Sequence, residues 1–315
     1  MLPGGLMFAW FRRSALLIGG VALLAGIAAC GSDDTPDPAA ARRAQAALDT
    51  GAELKRQVLA VENTLVDRCL TAQGLPLYDL DGAAVPSSRQ NFESPPVETA
   101  RLLGYGLDPR RRPPESEKPP RSAWERLPDA ERLRYTRARF GDMDSDVVSY
   151  DFGHGQISSP LGGCVGRTRL AIYGDLHEFL RLDWLVTNQL KEARAQAVRD
   201  DEGLSQALSS WSACMRDKGR PGLADPAAAR RNAEEIYADV DPADRAGLDR
   251  ALAREIEAAL ADATCADTTR LREVSQQVRA QAMAEQLAAH EADIVAWREF
   301  MSKALGRAQQ LLALG

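Results

Sequence analysis

The chain has few lysines, few aromatic side chains and almost no histidine. Five lysines (Lys55, Lys118, Lys191, Lys218, Lys303) stand within a total of 39 basic residues, which reads as a coding bias before it reads as chemistry. Three histidines leave little choice of a general base at neutral pH. No serine or cysteine sits in a nucleophile motif of the G-x-S-x-G kind. No C-x-x-C occurs, and no histidine lies at ligand spacing from a cysteine, which argues against a thiol redox motif and a metal site. A net charge of −6 disfavours general nucleic-acid binding. The expectation is no cofactor, no metal and no nucleic-acid partner. Aromatics make up only 6% of the chain, and abundant alanine favours helix.

What is present begins with a short apolar run. Arg12 and Arg13 precede Ala15 to Ala29, and Cys30 follows small residues. The run is too short to span a bilayer, which takes about 20 residues. Asp33, Asp34, Pro36 and Pro38 follow at once, where a membrane helix would continue. This arrangement resembles a bacterial lipoprotein signal peptide with its lipobox, Ile27-Ala28-Ala29-Cys30. The resemblance implies cleavage before Cys30 and transfer of a diacylglyceryl group to its thiol. The competing reading is an ordinary secretory leader. Arg12-Arg13 raises twin-arginine export, although Ser14-Ala15-Leu16 fits that motif poorly. Two or more acyl chains anchor stably, at about 0.8 kcal/mol per buried methylene. Residues 1–29 are thus expected to be a signal peptide and residues 30–40 a flexible tether. The protein should then be held by lipid on the outer face of the cell membrane.

Setting Cys30 aside leaves Cys69, Cys164, Cys214 and Cys265. An even set in an oxidising compartment suggests two disulfides, for which three connectivities exist. An internal echo narrows the choice. Val66-Asp67-Arg68-Cys69 to Gly74 lines up with Trp211-Ser212-Ala213-Cys214 to Gly219. Both read as a helix end, with glycine in the left-handed terminating position. Cys164 and Cys265 each follow small residues and open onto a helical pattern. The simplest pairing is Cys69–Cys164 and Cys214–Cys265, one bridge per half. Cys214-Met215 with Gly219, Gly162-Gly163-Cys164 and Glu255 to Cys265 resemble a group of secreted and lipidated actinobacterial proteins. That resemblance covers most of residues 50–300. It implies a disulfide-stabilised, mainly helical extracytoplasmic module, with no catalytic residues to carry over.

Apolar spacing predicts a helix over 41–73, through Leu48, Leu54, Val58, Val61, Leu65 and Cys69. Prolines at 76, 86, 95, 96, 109, 113, 114, 119 and 120 break residues 74–121 into an irregular excursion. A short strand is expected near Leu77 to Leu80, a short helix over Pro128 to Arg139 and a strand over Val147 to Phe152. The pattern is helical from Arg167 to Lys218, and a further helix is expected to begin at Pro242. Leu287, His290, Ile294, Trp297, Met301 and Leu305 form a seam. The expected fold is mainly α, an antiparallel bundle of long helices with a small β element in the first half. The expected halves are 41–195 and 196–315.

Candidate chemistry is thin. Asp142, Asp144 and Asp146 alternate as in a calcium loop, but Val147 and Gly153 occupy the places of the required glycine and glutamate. A solvated acidic turn fits better. His290 falls on the apolar seam and His177 beside Asp175 and Glu178. His154, flanked by glycines in Asp151-Phe152-Gly153-His154-Gly155, is the best candidate for a site and also suits a plain turn. Residues 110–139 hold ten basic and five acidic side chains, a stretch suited to anionic lipid headgroups or wall polymer. The leading expectation is a lipid-anchored envelope protein that acts by binding or structural support. An envelope hydrolase using His154 and a solute-binding lipoprotein are the alternatives. The last lacks the α/β rhythm of two lobes.

Overall fold

A computed structural model describes residues 37–78, 93–111 and 122–314. Cys30 and the lipobox lie outside the described residues, as do most of the proline-rich excursion and part of the basic stretch. The fold is mainly α. Its elements are α1 (Pro38–Ala72), α2 (Val97–Leu103), α3 (Asp129–Phe140), β1 (Val147–Asp151), β2 (Gln156–Pro160), α4 (Gly163–Tyr173) and α5 (Leu176–Trp184). After these come α6 (Leu190–Asp200), α7 (Glu202–Asp217), α8 (Pro226–Glu234), α9 (Arg245–Thr268), α10 (Leu271–Ala289) and α11 (Glu291–Leu314). Among the described residues no helix is long and apolar enough to cross a membrane.

Local chemistry explains the helix starts. Asp37, Asp175, Asp201, Asp225 and Asp244 cap α1, α5, α7, α8 and α9 by accepting a first-turn N–H through the side chain. Pro38 and Pro226 occupy first helical positions, where a missing N–H costs nothing. The two echoed ends share a closure. Gly74 (φ 71°) and Gly219 (φ 78°) take the left-handed conformation. The Leu75 N–H then reaches back to the Leu70 carbonyl, and the Arg220 N–H to that of Met215.

Several expectations need correction. Helix α1 begins at Pro38, so residues 38–40 are helical rather than tether, and Ala40 is buried. Leu77 and Tyr78 form no strand, and residues 79–80 lie outside the described residues. Pro242 sits in a turn and α9 starts at Arg245, because Asp244 supplies the cap. The run 167–218 is broken at Gly174 and Asp201, where Asp175 and Asp201 start new helices. The Val147 strand has a partner not read from the sequence, with Val147 opposite Pro160 and Asp151 opposite Gln156. Cys265 does not open a helix; it lies in the last turn of α9.

The larger difference is the direction of the long helices. Arg43 meets Glu291, Gly51 meets Trp297, and Arg68 donates to the Leu312 carbonyl. Residue numbers rise together along this contact, so α1 and α11 run parallel. Antiparallel packing does occur. Glu62 and Cys69 of α1 meet Arg169 and Cys164 of α4, and Leu190 and Arg194 of α6 meet Leu287 and Met283 of α10. Parallel neighbours need the intervening chain to travel back, and α4 to α10 supply that return.

Residues Pro36–Gly315 form one compact unit, and its core is not divided at residue 195. One cluster joins Val58 of α1 and Tyr173, Phe179 and Leu182 to Trp297 and Met301 of α11. Another gathers Trp211, Met215, Ala229, Cys265 and Leu271 around the second bridge. The α2 segment packs on α9 through Ala100, Ala259 and Ala263. The last helix therefore completes the first half of the core, and the excursion completes the second.

Candidate functional site

The four cysteines are paired within bonding distance, Cys69 with Cys164 and Cys214 with Cys265, at Cα separations of 5.8 and 5.7 Å. Each bridge has one buried and one half-buried cysteine. Cys164 and Cys265 are buried, while Cys69 and Cys214 are partly exposed. Their surroundings differ. The Nε2 of Gln73 lies 3.0 Å from the Cys164 sulfur, and the Arg167 guanidinium lies 3.6 Å from that of Cys69 and 3.9 Å from that of Cys164. The second bridge is packed among Trp211, Met215 and Leu271.

Three of the buried carboxylates tie separate segments of the chain together. On α1, Glu62 accepts from Arg169 Nε (2.7 Å) and the Tyr173 hydroxyl (2.9 Å), and Arg169 also reaches Ser159 Oγ. On α9, Asp262 accepts from Ser94 Oγ (2.5 Å), Trp211 Nε1 (2.9 Å) and the Tyr105 hydroxyl (3.0 Å). Two turns back on the same helix, Glu255 accepts the Tyr105 and Leu107 N–H groups at 2.7 and 3.0 Å and the Tyr237 hydroxyl at 2.5 Å. Burial pushes the Asp262 carboxyl up from its ordinary range, against the lowering effect of its three donors. Burial also raises the hydroxyls of Tyr105, Tyr173 and Tyr237, and their carboxylate partners raise them further. Each acid has its donors, so these are structural ties that fix α4 on α1 and the 94–107 segment on α9. Sequence reading passed over all three. The usable signal was an acid at core spacing: Glu62 falls between Val58 and Val66 on the apolar stripe, and Glu255 and Asp262 lie seven apart on the buried face of α9.

The histidines do not converge. His154 is exposed at the β1–β2 turn, its ring edge-on to Phe152, which stacks on Trp184 at 4.0 Å. Asp151, the nearest acid in the chain before it, accepts the Gly153 N–H at 2.7 Å and shapes the turn. His177 is exposed on α5 and meets Tyr150 edge-on. His290 is not in the middle of a helical seam; it ends α10, where the chain breaks before α11. Asp142 accepts from the Ser145 hydroxyl and the Asp144 N–H, which hold its carboxyl below the usual range. Among the described residues no group of three or more His, Cys, Asp or Glu could hold a metal ion.

In the basic stretch, Arg110 pairs with Asp108 and Asp249, and Arg132 pairs with Asp129. Residues 112–121 lie outside the described residues. Broader concavities of about 710 and 560 Å³ lie along α7 and beside α9, and a cleft of about 220 Å³ lies between α7, α8 and α10. Leu204, Leu208 and Leu271 supply its apolar wall. Its two arginines are engaged: Arg272 donates to the Ser94 and Pro95 carbonyls, and Arg279 pairs with Glu93. The space is smaller than the roughly 300 Å³ at which small-molecule sites begin.

Comparison of the chain with protein-family models, with curated proteins and with solved structures finds no match.

Proposed function

We propose that the protein is a lipid-anchored component of the cell envelope, attached through Cys30 and acting by binding or structural support. The observation that carries this reading is the pairing of the four cysteines that remain once Cys30 is set aside for lipid. Two bridges suit an oxidising, extracytoplasmic compartment. The hydrolase reading gains no support from geometry, since the His154 side chain stands exposed on a hairpin turn.

The test is lipid attachment. Cys30→Ala, or inhibition of lipoprotein signal peptidase by globomycin, should release the chain from the membrane fraction or leave it unprocessed, with a matching mass change. Unchanged membrane retention and unchanged mass would overturn the anchor.

A further inference from the structure

We infer that the two disulfides have different roles, and that Cys69–Cys164 is an exchangeable, redox-active bridge whereas Cys214–Cys265 is a fixed one. The distinction rests on where each sulfur sits along its helix. Cys164 occupies the first turn of the 11-residue α4, at the positive end of that helix. Cys69 occupies the last turn of the 35-residue α1, at its negative end. The helix fields therefore favour a thiolate on Cys164 over one on Cys69, against the cost of placing charge on a fully buried sulfur. The Arg167 guanidinium and the Gln73 amide add donors at the same sulfur pair, and guanidinium neighbours and helix N-termini are the settings that stabilise thiolates. In the second bridge, Cys214 and Cys265 both lie in last turns, of α7 and α9, among apolar side chains. Both sulfurs there lie at the negative ends of their helices, which disfavours the charge of a leaving thiolate.

Access does not separate the bridges, because each offers one half-buried sulfur, Cys69 or Cys214. Electrostatics does. A thiolate of a dithiol reductant would attack Cys69 Sγ and form a mixed disulfide, while the Cys69–Cys164 bond breaks and its electron pair leaves on Cys164 Sγ. The reductant's second thiol, deprotonated, then attacks its own sulfur in the mixed disulfide. The reductant is released as a disulfide and Cys69 as a thiolate that takes a proton from water. Two electrons pass to the protein. A leaving thiol that is stabilised as thiolate departs faster. The opened state keeps its helices in place, since Glu62 still ties α1 to Arg169 and Tyr173 of α4.

Other groups face Cys164 as well. Asp146 Oδ2 lies against Gly162 at the start of α4 and opposes the thiolate. The Arg139 main chain lies against Gly163, and Tyr135 shares the apolar cluster of Cys164.

The test uses the full chain with both bridges formed, dithiothreitol as the dithiol under native conditions, and alkylation with peptide mapping as the readout. Cys69–Cys164 should open first, on the order of tenfold faster than Cys214–Cys265. Arg167→Met combined with Gln73→Leu should slow that opening several-fold and leave the second bridge unchanged, while Arg167→Lys keeps most of the rate. Equal rates, the reverse order, or a rate indifferent to Arg167→Met in a variant with an unchanged melting profile would overturn the assignment.

Discussion

Replacing Gly51 with alanine separates the packing described for α1 and α11 from simple helix propensity. Gly51 lies inside α1, where alanine is favoured over glycine by about 1 kcal/mol. On propensity alone Gly51→Ala should stabilise the protein. The structure requires the opposite. A Cβ at this position would stand 2.3 Å from Cζ3 and 2.5 Å from Cε3 of Trp297. Trp297 is only 2% exposed and cannot swing into solvent without opening the core. Overpacking of this kind costs about 1–3 kcal/mol, and an overlap with two ring atoms belongs at the upper end. Subtracting the propensity gain leaves a destabilisation of about 2 kcal/mol. For a chain of this size that lowers the melting midpoint by roughly 3–4 °C. Gly306 of α11 is the control, since a Cβ there meets nothing within 4 Å. Gly306→Ala should raise stability by about 0.5–1 kcal/mol. Thermal and urea unfolding with both bridges intact compare the two variants. A Gly51→Ala midpoint that rises as the Gly306→Ala midpoint does would refute the parallel α1–α11 contact.

Two further substitutions probe the buried acids. Because burial raises the folded-state pKa of Asp262, folding takes up protons in the window between its unfolded and folded values, so its contribution is fully present below the unfolded pKa and is lost as pH rises through the folded one. Asp262→Asn should keep the Ser94 and Trp211 bonds through its carbonyl and should flatten the fall in urea stability as pH rises from about 4 toward neutrality; a pH profile identical to wild type would contradict this. Glu62→Ala removes the acceptor of both Arg169 and the buried Tyr173 hydroxyl and should cost about 3 kcal/mol, the lower end for breaking a buried pair because Arg169 is partly exposed; a loss under about 1 kcal/mol in urea unfolding would show that the network is not a tie.

Much of the helical architecture was legible because its signals are local. The spacing from Leu48 to Cys69 marks the buried face of α1, and the glycines after Cys69 and Cys214 mark two helix ends that close alike. Aspartate caps are equally local, yet Asp175 and Asp201 fall inside the run 167–218, where an apolar pattern that continues past each cap hides the break. The direction of α1 against α11 was not legible at all. It depends on a glycine in one helix meeting a tryptophan 246 positions later, and an isolated Gly51 carries no sign of that contact. The carboxylates leave only the faint signal of an acid at core spacing, which does not name their partners. Glu255 looks like any helix-surface glutamate until the Tyr105 and Leu107 N–H groups are placed over it.

The echo between the halves is informative at the point where it fails. Cys69 and Cys214 have equivalent settings, each in a last turn and each followed by a left-handed glycine. Their partners do not match, because Cys164 opens a helix and Cys265 closes one. Each bridge also has a carboxylate tie between the same two helices. Glu62, two turns before Cys69, holds α1 to α4, and Asp262, one turn before Cys265, accepts from Trp211 and holds α9 to α7. On the loop-entropy model both bridges constrain the unfolded chain similarly, by about 4 kcal/mol for loops of 95 and 51 residues. Stability therefore gives no reason for the two partners to differ. Reversing the helix at the second cysteine leaves the constraint almost unchanged and alters only the field at the sulfur. The asymmetry is thus one of reactivity, carried by Cys164, Arg167 and Gln73, within a pair of bridges that are otherwise equivalent as braces.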